Sequence, residues 1–295
     1  MTARAAMWVD DGRIAEAEED LQKATDLDVA TLETIYLRTM LKFRQGKDDE
    51  ARQLLRESAD KIRGISEAAQ KNLPPVALML GIVAYFDGNH SVAIERFREF
   101  LNKFPNHDGA KRYLASAYLA LGEWDAVIKL YRPNPTAEPP NDATPLSMMA
   151  EAYRAKGDFK SAQRYYEAAI RLAPNAAGLA VRLALARLEV GKAAQAVKDL
   201  NWLVETFPDL VEARVQLAQV YTRIGRHGDA KEQIIRSLEQ HPTEAHILTV
   251  AGAVYMATDD LDLARKHSLQ AADLDPELIL PELNLARIEQ KQNFP

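Results

Sequence analysis

The six histidines of this chain are its residues with the widest range of catalytic and metal-binding chemistry. They are His90, His107, His227, His241, His246 and His267. None of them belongs to an HExxH pair, the spacing that places two imidazoles on one helical face to bind zinc. His241 and His246 lie five residues apart across Pro242, which does not bring them to one face of a helix. The histidines therefore predict no metal centre.

The aspartates Asp259, Asp260 and Asp262 form a group of carboxylates that resembles a calcium site only superficially. They lack the spacing and the glycine of an EF-hand loop. They fall where a helix is expected to begin, and negative charge in a first turn stabilises the helix dipole. The chain also has no cysteine, which excludes disulfides and thiolate ligands, and no glycine-rich phosphate loop. We therefore expect no catalytic residue, no cofactor and no enzymatic activity.

The elements of this chain are set by three groups of residues that recur every 34 positions. These are the prolines 174, 208, 242 and 276, the turn residues Gly157, Gly191, Gly225 and Asp259, and the alanines 162, 196, 230 and 264. A period of this length is typical of stacked helical hairpins. The glycines at positions 12, 46, 88 and 122 continue the pattern to the N-terminus.

Each repeated unit contains an apolar segment, a turn residue, and a second segment that ends near proline. Glycine can adopt the left-handed conformation that ends a helix, and proline cannot continue a helix. We expect Asp259 to take the place of the glycine, because aspartate tolerates this conformation better than most residues. Small residues at Ala150, Ala184, Ala218 and Gly252 predict a close approach of the two helices of a hairpin.

This pattern resembles the tetratricopeptide repeat, and the unit that starts at Ala143 carries the whole signature. Its small, aromatic and proline positions hold Ala150, Tyr153, Ala162, Tyr166, Ala169 and Pro174. The resemblance implies an all-α fold, a right-handed superhelical solenoid of helix-turn-helix units. About eight units are expected, followed by a C-terminal capping helix from Ile279 to Gln292 with a polar outer face.

Two irregularities divide the predicted array, which we otherwise expect to be one continuous elongated domain. The N-terminal block covers residues 1–131 and has an insertion near residues 58–73, since Gly46 and Gly88 are 42 positions apart. A proline-rich interruption covers residues 132–145, so the preceding helix should end near Tyr131. The C-terminal block covers residues 143–295.

The resemblance also implies a concave face lined by repeat positions 2, 5, 9 and 12 of the first helices. The candidate partner-binding residues on this face are Tyr36, Met40, Phe43, Leu78, Ile82, Tyr85, Arg112, Glu151, Arg154 and Gln219. The N-terminal part of this groove is apolar, and exposed apolar patches mark interaction sites. The alternative is that the inserted segment covers it. The lysine and asparagine with which some family members clamp the C-termini of heat-shock chaperones are missing.

The net charge, the apolar segments and the N-terminal residues limit the kinds of partner and the cellular location that can be expected. The net charge is −6, which excludes the basic surface of a nucleic-acid-binding protein. The longest apolar run, Val76 to Phe86, has 11 residues and predicts a helix buried by its neighbours rather than a membrane span. No secretory signal is visible, but Gly12 stands at repeat position 15. The chain therefore begins inside a unit, and we expect it to be a piece of a longer protein.

A second resemblance concerns the segments Leu78–Tyr131, Ala150–Asn175 and Leu183–Leu200. They are similar to the repeat scaffold proteins of bacterial exosortase and exopolysaccharide export systems. This resemblance implies a role in exopolysaccharide export and a periplasmic location, and without it we expect a cytoplasmic one. The function predicted from the sequence is a scaffold that binds a protein or peptide in its concave groove. The alternative is a polysaccharide-binding module that guides export.

Overall fold

The structure, a computed structural model, describes residues 4–5, 7–8, 13–26, 32–63, 74–132 and 142–293. These ranges contain sixteen complete α-helices and no β-strand. The all-α fold class predicted by the repeat is therefore confirmed. None of the described helices is both long and apolar enough to cross a bilayer.

The chain divides into two compact units, Met1–Ala137 and Glu138–Pro295. The helices of the N-terminal unit are α1 (Ile14–Asp26), α2 (Leu32–Arg44), α3 (Asp48–Arg63), α4 (Pro74–Phe86), α5 (His90–Lys103), α6 (Asp108–Ala120) and α7 (Trp124–Tyr131). The helices of the C-terminal unit are α8 (Ala143–Ala155), α9 (Phe159–Leu172), α10 (Ala177–Glu189), α11 (Ala193–Thr206), α12 (Val211–Arg223), α13 (His227–Gln240), α14 (Ala245–Ala257), α15 (Leu261–Leu274) and α16 (Ile279–Asn293).

Within each unit, successive helices pack as hairpins, and the first helices of neighbouring hairpins also contact one another. In the N-terminal unit α2 contacts α4, and α4 contacts α6. In the C-terminal unit α10 contacts α12, α12 contacts α14, and α14 contacts α16. The first helices therefore form a layer of their own, which is the layer that lines the concave face of a helical-repeat solenoid.

The turns inside the hairpins have one recurring geometry. Glycines at six of these turns have φ between 70° and 82°, and Asp259 has a φ of 64°. After the glycine at position 157, Asp158 N–H donates to Tyr153 O at 2.9 Å, and Asp260 N–H donates to Tyr255 O at 2.9 Å in the corresponding turn. This bond closes a left-handed helix end. The prediction that Asp259 replaces the glycine is confirmed.

The helices approach closely because small residues stand at the predicted contact positions. Ala150, Ala184 and Ala218 have no exposed surface, and neither do the alanines 162, 196, 230 and 264. A Cβ atom on Gly81 would lie 2.7 Å from Phe97 Cε1, so only glycine fits there. Larger side chains such as Leu200 and Leu217 are also fully buried, and each contributes about 2 kcal/mol to the stability of the fold.

The proline-rich interruption shortens the helix that precedes it. Helix α7 has eight residues and ends at Tyr131, as the prolines predicted. Arg132, the residue before Pro133, has a ψ of 124°, the extended conformation that proline imposes on its predecessor. Residues 133–141 lie outside the described residues, and so do residues 64–73 of the predicted insertion. The preceding helix α3 is long, with 16 residues.

Helix α16 occupies the place of a further first helix, as the sequence predicted. Ile288 is fully buried, and the buried Asn284 donates from Nδ2 to Thr249 O of α14 at 3.0 Å. The charged and polar residues expected on its outer face are exposed. They are Glu282, Arg287, Glu289, Lys291 and Gln292. The same helix also exposes Ile279, Leu280 and Leu283, at 70%, 59% and 45%, so its outer surface is mixed rather than uniformly polar.

Candidate functional site

The first helices of the C-terminal unit carry a row of polar side chains on the face where a partner is expected to bind. Glu151 and Arg154 stand on α8 one turn apart, and Gln219 is exposed on α12. Apolar residues separate them on α10, where Val181 is buried and Leu185 is half-buried. These polar side chains are exposed or half-buried, and their assignment to a partner-binding face stays a prediction.

Glu151 is the centre of a hydrogen-bonded cluster that joins three helices. Arg154 donates from Nη2 to Glu151 Oε1 at 2.6 Å, and Tyr166 of α9 donates from its hydroxyl to Oε2 at 2.6 Å. Arg182 of α10 places Nη1 3.5 Å from the same Oε2. Tyr166 is fully buried, so its hydroxyl is a fixed donor that holds the Glu151 carboxylate from the side of the core. Arg154 and Arg182 in turn both contact this carboxylate.

The electrostatics of this cluster keep Glu151 ionised. Burial raises the pKa of Glu151, but the hydrogen bonds from Arg154 and Tyr166 and the charges of Arg154 and Arg182 outweigh it, so the pKa lies below its usual value. Burial and the hydrogen bond to Glu151 raise the pKa of Tyr166 far above its usual value. The hydrogen bond to Glu151 raises the pKa of Arg154. All three groups therefore keep one charge state near neutral pH.

The cluster has an excess of positive charge. One carboxylate, Glu151, faces two guanidinium groups, and no other ion pair of Arg154 or Arg182 occurs in the described residues. The side chains of Arg154 and Arg182 are 45% and 55% exposed. Each guanidinium has five N–H donors, most of which remain available here. This end of the face can therefore bind a carboxylate.

The opposite end of the same face has an excess of negative charge. Glu212 of α12 accepts a hydrogen bond from Gln216 at 2.5 Å and lies 3.9 Å from Nε2 of His246 on α14. Within the described chain no lysine or arginine pairs with Glu212. At the C-terminal ends of α10 and α12, Arg223 donates to Glu189 Oε1 at 2.9 Å, so these two charges compensate each other. The face therefore changes from positive at α8 and α10 to negative at α12.

The candidate residues of the N-terminal unit have different surroundings. Leu78 and Ile82 are 6% and 0% exposed, so the expectation that they line an exposed apolar groove is wrong. Helix α4 contacts α2, α3, α5 and α6, and both side chains belong to the buried core. The apolar run that contains them was predicted to form a buried helix, and this prediction is confirmed.

The other N-terminal candidates are partly described. Tyr85 is half-buried and lies with ring centroids 5.7 Å from Tyr113 and 5.3 Å from His90. Arg112 is exposed. The side chains of Tyr36, Met40 and Phe43 lie outside the described part of the structure, although their backbones belong to α2. Their assignment to a binding site stays a prediction.

Sequence reasoning missed the residues that complete the charged face. Arg182 stands at repeat position 6, and Glu189 and Arg223 stand at position 13 of their units. These positions flank the four columns assigned to the concave face, so counting only those columns overlooked them. Tyr166 was recognised as a signature residue for packing. Its hydroxyl could have been noticed, because a fully buried tyrosine usually finds a hydrogen-bond partner.

A metal ion in a protein is held by several histidine, cysteine, aspartate or glutamate side chains that lie close together. No cluster of three or more histidine, cysteine, aspartate or glutamate side chains occurs in the described ranges. The acidic residues predicted to start a helix do so, because Asp260 precedes α15 and Asp262 lies in its first turn. Asp260 accepts from Lys231 Nζ at 2.5 Å, which lowers the pKa of its carboxyl group. These carboxylates therefore have structural partners.

The repeated hairpins, the left-handed turns and the polar layer of first helices define a helical-repeat protein. Two family models described as Tetratricopeptide repeat match this chain, one at residues 143–176 and the other at residues 78–132 and 181–245. Together these matches cover more than half of the chain. The chain belongs to the tetratricopeptide repeat family.

One curated protein and one solved structure illustrate what this chain is similar to. The "Protein CTR9 homolog" of Arabidopsis thaliana is 25% identical over 172 residues, which cover 56% of this chain and 16% of that protein. The crystal structure of the APC/C hetero-tetramer Cut9-Hcn1 contains a chain with a TM-score of 0.68 and 17% identity. That match covers 97% of this chain and 54% of the other. This chain thus spans about half or less of these two relatives.

A third similar protein is TTC0263, described as a thermophilic TPR protein in Thermus thermophilus. It is 25% identical, with a TM-score of 0.49, over 63% of this chain and 99% of that chain. Membership of the repeat family supports a scaffold for protein–protein interactions. The resemblance to exosortase-system scaffolds is not shown by these comparisons.

Proposed function

We propose that this chain is a non-enzymatic scaffold that binds an extended segment of a partner protein on the first helices of its C-terminal unit. An acidic side chain of the segment binds Arg154 and Arg182, and a basic side chain binds Glu212. The observation that carries this proposal is the order of charges along the face. The two arginines share one carboxylate at one end, and Glu212 has no lysine or arginine partner in the described residues at the other.

The rigidity of the positive end supports a binding role. Glu151 is fixed by a buried hydroxyl, so the arginines that contact it lose less freedom when a ligand binds. Arginine also presents a planar set of donors that matches a carboxylate in a bidentate pair. A carboxylate of the partner therefore completes an arrangement that is already formed.

The geometry of the array gives a spacing for the partner's charges. The positive end lies between α8 and α10, and the negative end lies between α12 and α14. Neighbouring helices pack about 10 Å apart, so the two ends are about 20 Å apart. An extended peptide advances about 3.3 Å per residue, so the acid and the base are about six residues apart in the partner.

Selection of dodecapeptides from a random phage-displayed library tests this proposal. We expect the native chain to enrich sequences with an acidic and a basic residue about six positions apart. In the double variant Arg154→Gln, Arg182→Gln the preference for the acid is lost, and the preference for the base remains. In Glu212→Gln the preference for the base is lost, and the preference for the acid remains. Circular dichroism establishes that each variant is folded.

The matched control is Arg171→Gln, which removes an exposed arginine of α9 that has no ion pair in the described structure. It should select the same sequences as the native chain. Enrichment without an acidic preference, or the same preference in the double variant, would contradict the proposal. Binding to a glycan array by the native chain, without any selected peptide, would favour the polysaccharide-binding alternative.

The biological setting is a separate part of this proposal. The role in exopolysaccharide export, the bacterial source and the periplasmic location rest on the resemblance of the sequence alone. Their test is the identity of the proteins whose sequences contain the selected peptides. A match to components of an export system supports this setting, and matches confined to proteins of other pathways count against it.

A further inference from the structure

Arg214 of α12 is a buried arginine without a counter-ion in the described structure. It is 6% exposed, its Nη2 donates to Pro208 O at 3.3 Å, and its Nε is buried without a partner. No carboxylate of the described residues pairs with it. Arg187, which is also largely covered, pairs with both Glu167 and Asp199. Arg214 therefore departs from the way in which this chain compensates a covered arginine.

The repeat itself does not require an arginine at this position. The corresponding residues on α8, α10 and α14 are Leu146, Ala180 and Leu248, all of them apolar. Leu248 is 1% exposed, so an apolar side chain fills the equivalent place between the helices. A buried charge without a partner costs several kcal/mol relative to such an apolar residue. The presence of Arg214 is thus not explained by packing.

A second arginine increases the local positive charge. Arg236 stands on α13, which packs against α12 as the second helix of the same hairpin. Burial lowers the pKa of Arg214, and the positive charge of Arg236 lowers it further. Arg236 is 57% exposed and donates from Nη2 to Glu232 at 2.7 Å, so that carboxylate is engaged by Arg236 and not by Arg214.

We propose that Arg214 and Arg236 form a binding site for an oxyanion, either a carboxylate or a phosphate group. The oxygen atoms of such a group accept the N–H donors that Arg214 leaves unused, in the geometry that guanidinium prefers. The anion also supplies the missing negative charge beside a covered cation. This site is formed by different residues from the charged face of Arg154, Arg182 and Glu212. Its test is therefore independent of the test of the proposed function.

Thermal unfolding of the full chain in phosphate, acetate and chloride at equal ionic strength tests the site. An anion that binds only the folded chain raises the Tm, by about 3 °C or more at ten times its dissociation constant. Phosphate also stabilises proteins in general by exclusion from their surface. The Tm rise is therefore compared with that of Arg214→Met, and Arg171→Met serves as the matched control.

We expect the native chain and Arg171→Met to show a larger rise in phosphate than Arg214→Met does. In chloride, Arg214→Met should be at least as stable as the native chain, since methionine removes the unpaired charge. An excess rise in phosphate alone identifies a phosphate site, and an equal excess in acetate identifies a carboxylate site. Equal rises in all three proteins in both anions would overturn the proposal.

A surface variant keeps the test decisive if Arg214→Met does not fold. Arg236→Gln changes an exposed side chain and should leave the fold intact. Titration of inorganic phosphate and of acetate into the native chain, followed by isothermal calorimetry, should give saturable heat for at least one anion. In Arg236→Gln we expect affinity at least tenfold weaker. No saturable heat with either anion for the native chain would overturn the site.

Discussion

The hydroxyl of Tyr166 and the carboxylate of Glu151 are joined by a hydrogen bond of 2.6 Å between the core and the groove. Tyr166 is fully buried at a signature position of the repeat, and Glu151 stands on the face of the first helices. The same aromatic residue that packs α8 against α9 therefore also fixes the charged group at the surface. One side chain therefore links the packing of the core to the position of a charged group at the surface.

Replacing Tyr166 with phenylalanine tests this coupling. The ring still fills the core, but Glu151 loses a donor, and a hydrogen bond to a charged group is worth about 1.5 to 3 kcal/mol of stability. We expect a loss within this range in urea unfolding followed by circular dichroism. Tyr255→Phe is the control, because its hydroxyl makes no hydrogen bond to another described residue. Equal effects of the two substitutions would count against the role of the Tyr166 hydroxyl.

The depressed pKa of Glu151 predicts how stability depends on pH. A carboxyl group whose pKa is lower in the folded than in the unfolded chain adds stability above its unfolded pKa, and this stability is lost as the pH falls through the folded pKa. The free energy of unfolding of the native chain minus that of Glu151→Gln should be constant near neutral pH. It should shrink below about pH 4.5. A difference that grows with acid would contradict the assignment.

The fold could be predicted from the sequence because single residues at fixed repeat positions determine where helices end and where they touch. Gly157 and Asp259 occupy equivalent turns and adopt the same left-handed conformation, and each fixes the end of a first helix. The buried alanines mark where helices touch. Only a few residue types fit a left-handed turn or a close helix contact. Residue type and spacing are therefore sufficient to predict these positions.

The site could be predicted only in part, because side-chain contacts across units leave little trace in a periodic pattern. Glu151 and Arg154 lie on the predicted face, but Arg182 reaches Glu151 from the next unit and belongs to none of the columns considered. Leu78 and Ile82 occupy groove positions by number, but both side chains are buried. Repeat position alone therefore does not decide exposure.

Two glycines inside helices should respond in opposite ways to alanine. A Cβ atom on Gly81 meets the ring of Phe97 at 2.7 Å, and overpacking of this kind costs about 1 to 3 kcal/mol. Gly178, in the first turn of α10, has open space around its Cα, so alanine should stabilise the chain by about 0.5 to 1 kcal/mol. Thermal unfolding of the two variants measures the difference. Destabilisation by Gly178→Ala would contradict this account.

The turn at Asp259 offers a stabilising substitution. Its φ of 64° is strained for a residue with a Cβ atom, by about 1 kcal/mol, and glycine removes this strain. Glycine also removes the ion pair in which Lys291 Nζ lies 3.1 Å from Asp259 Oδ1. That carboxylate is 79% exposed, so the ion pair contributes little to stability.

Asp259→Gly should therefore raise the free energy of unfolding by several tenths of a kcal/mol, to about 1 kcal/mol at most. Asp259→Asn keeps the tolerance of the left-handed conformation and removes the charge, so it isolates the ion pair and should change stability little. Asp259→Val should destabilise the chain by more than 1 kcal/mol, roughly, because a β-branched residue is strongly disfavoured at positive φ. A gain from valine equal to that from glycine would show that backbone strain does not govern this turn.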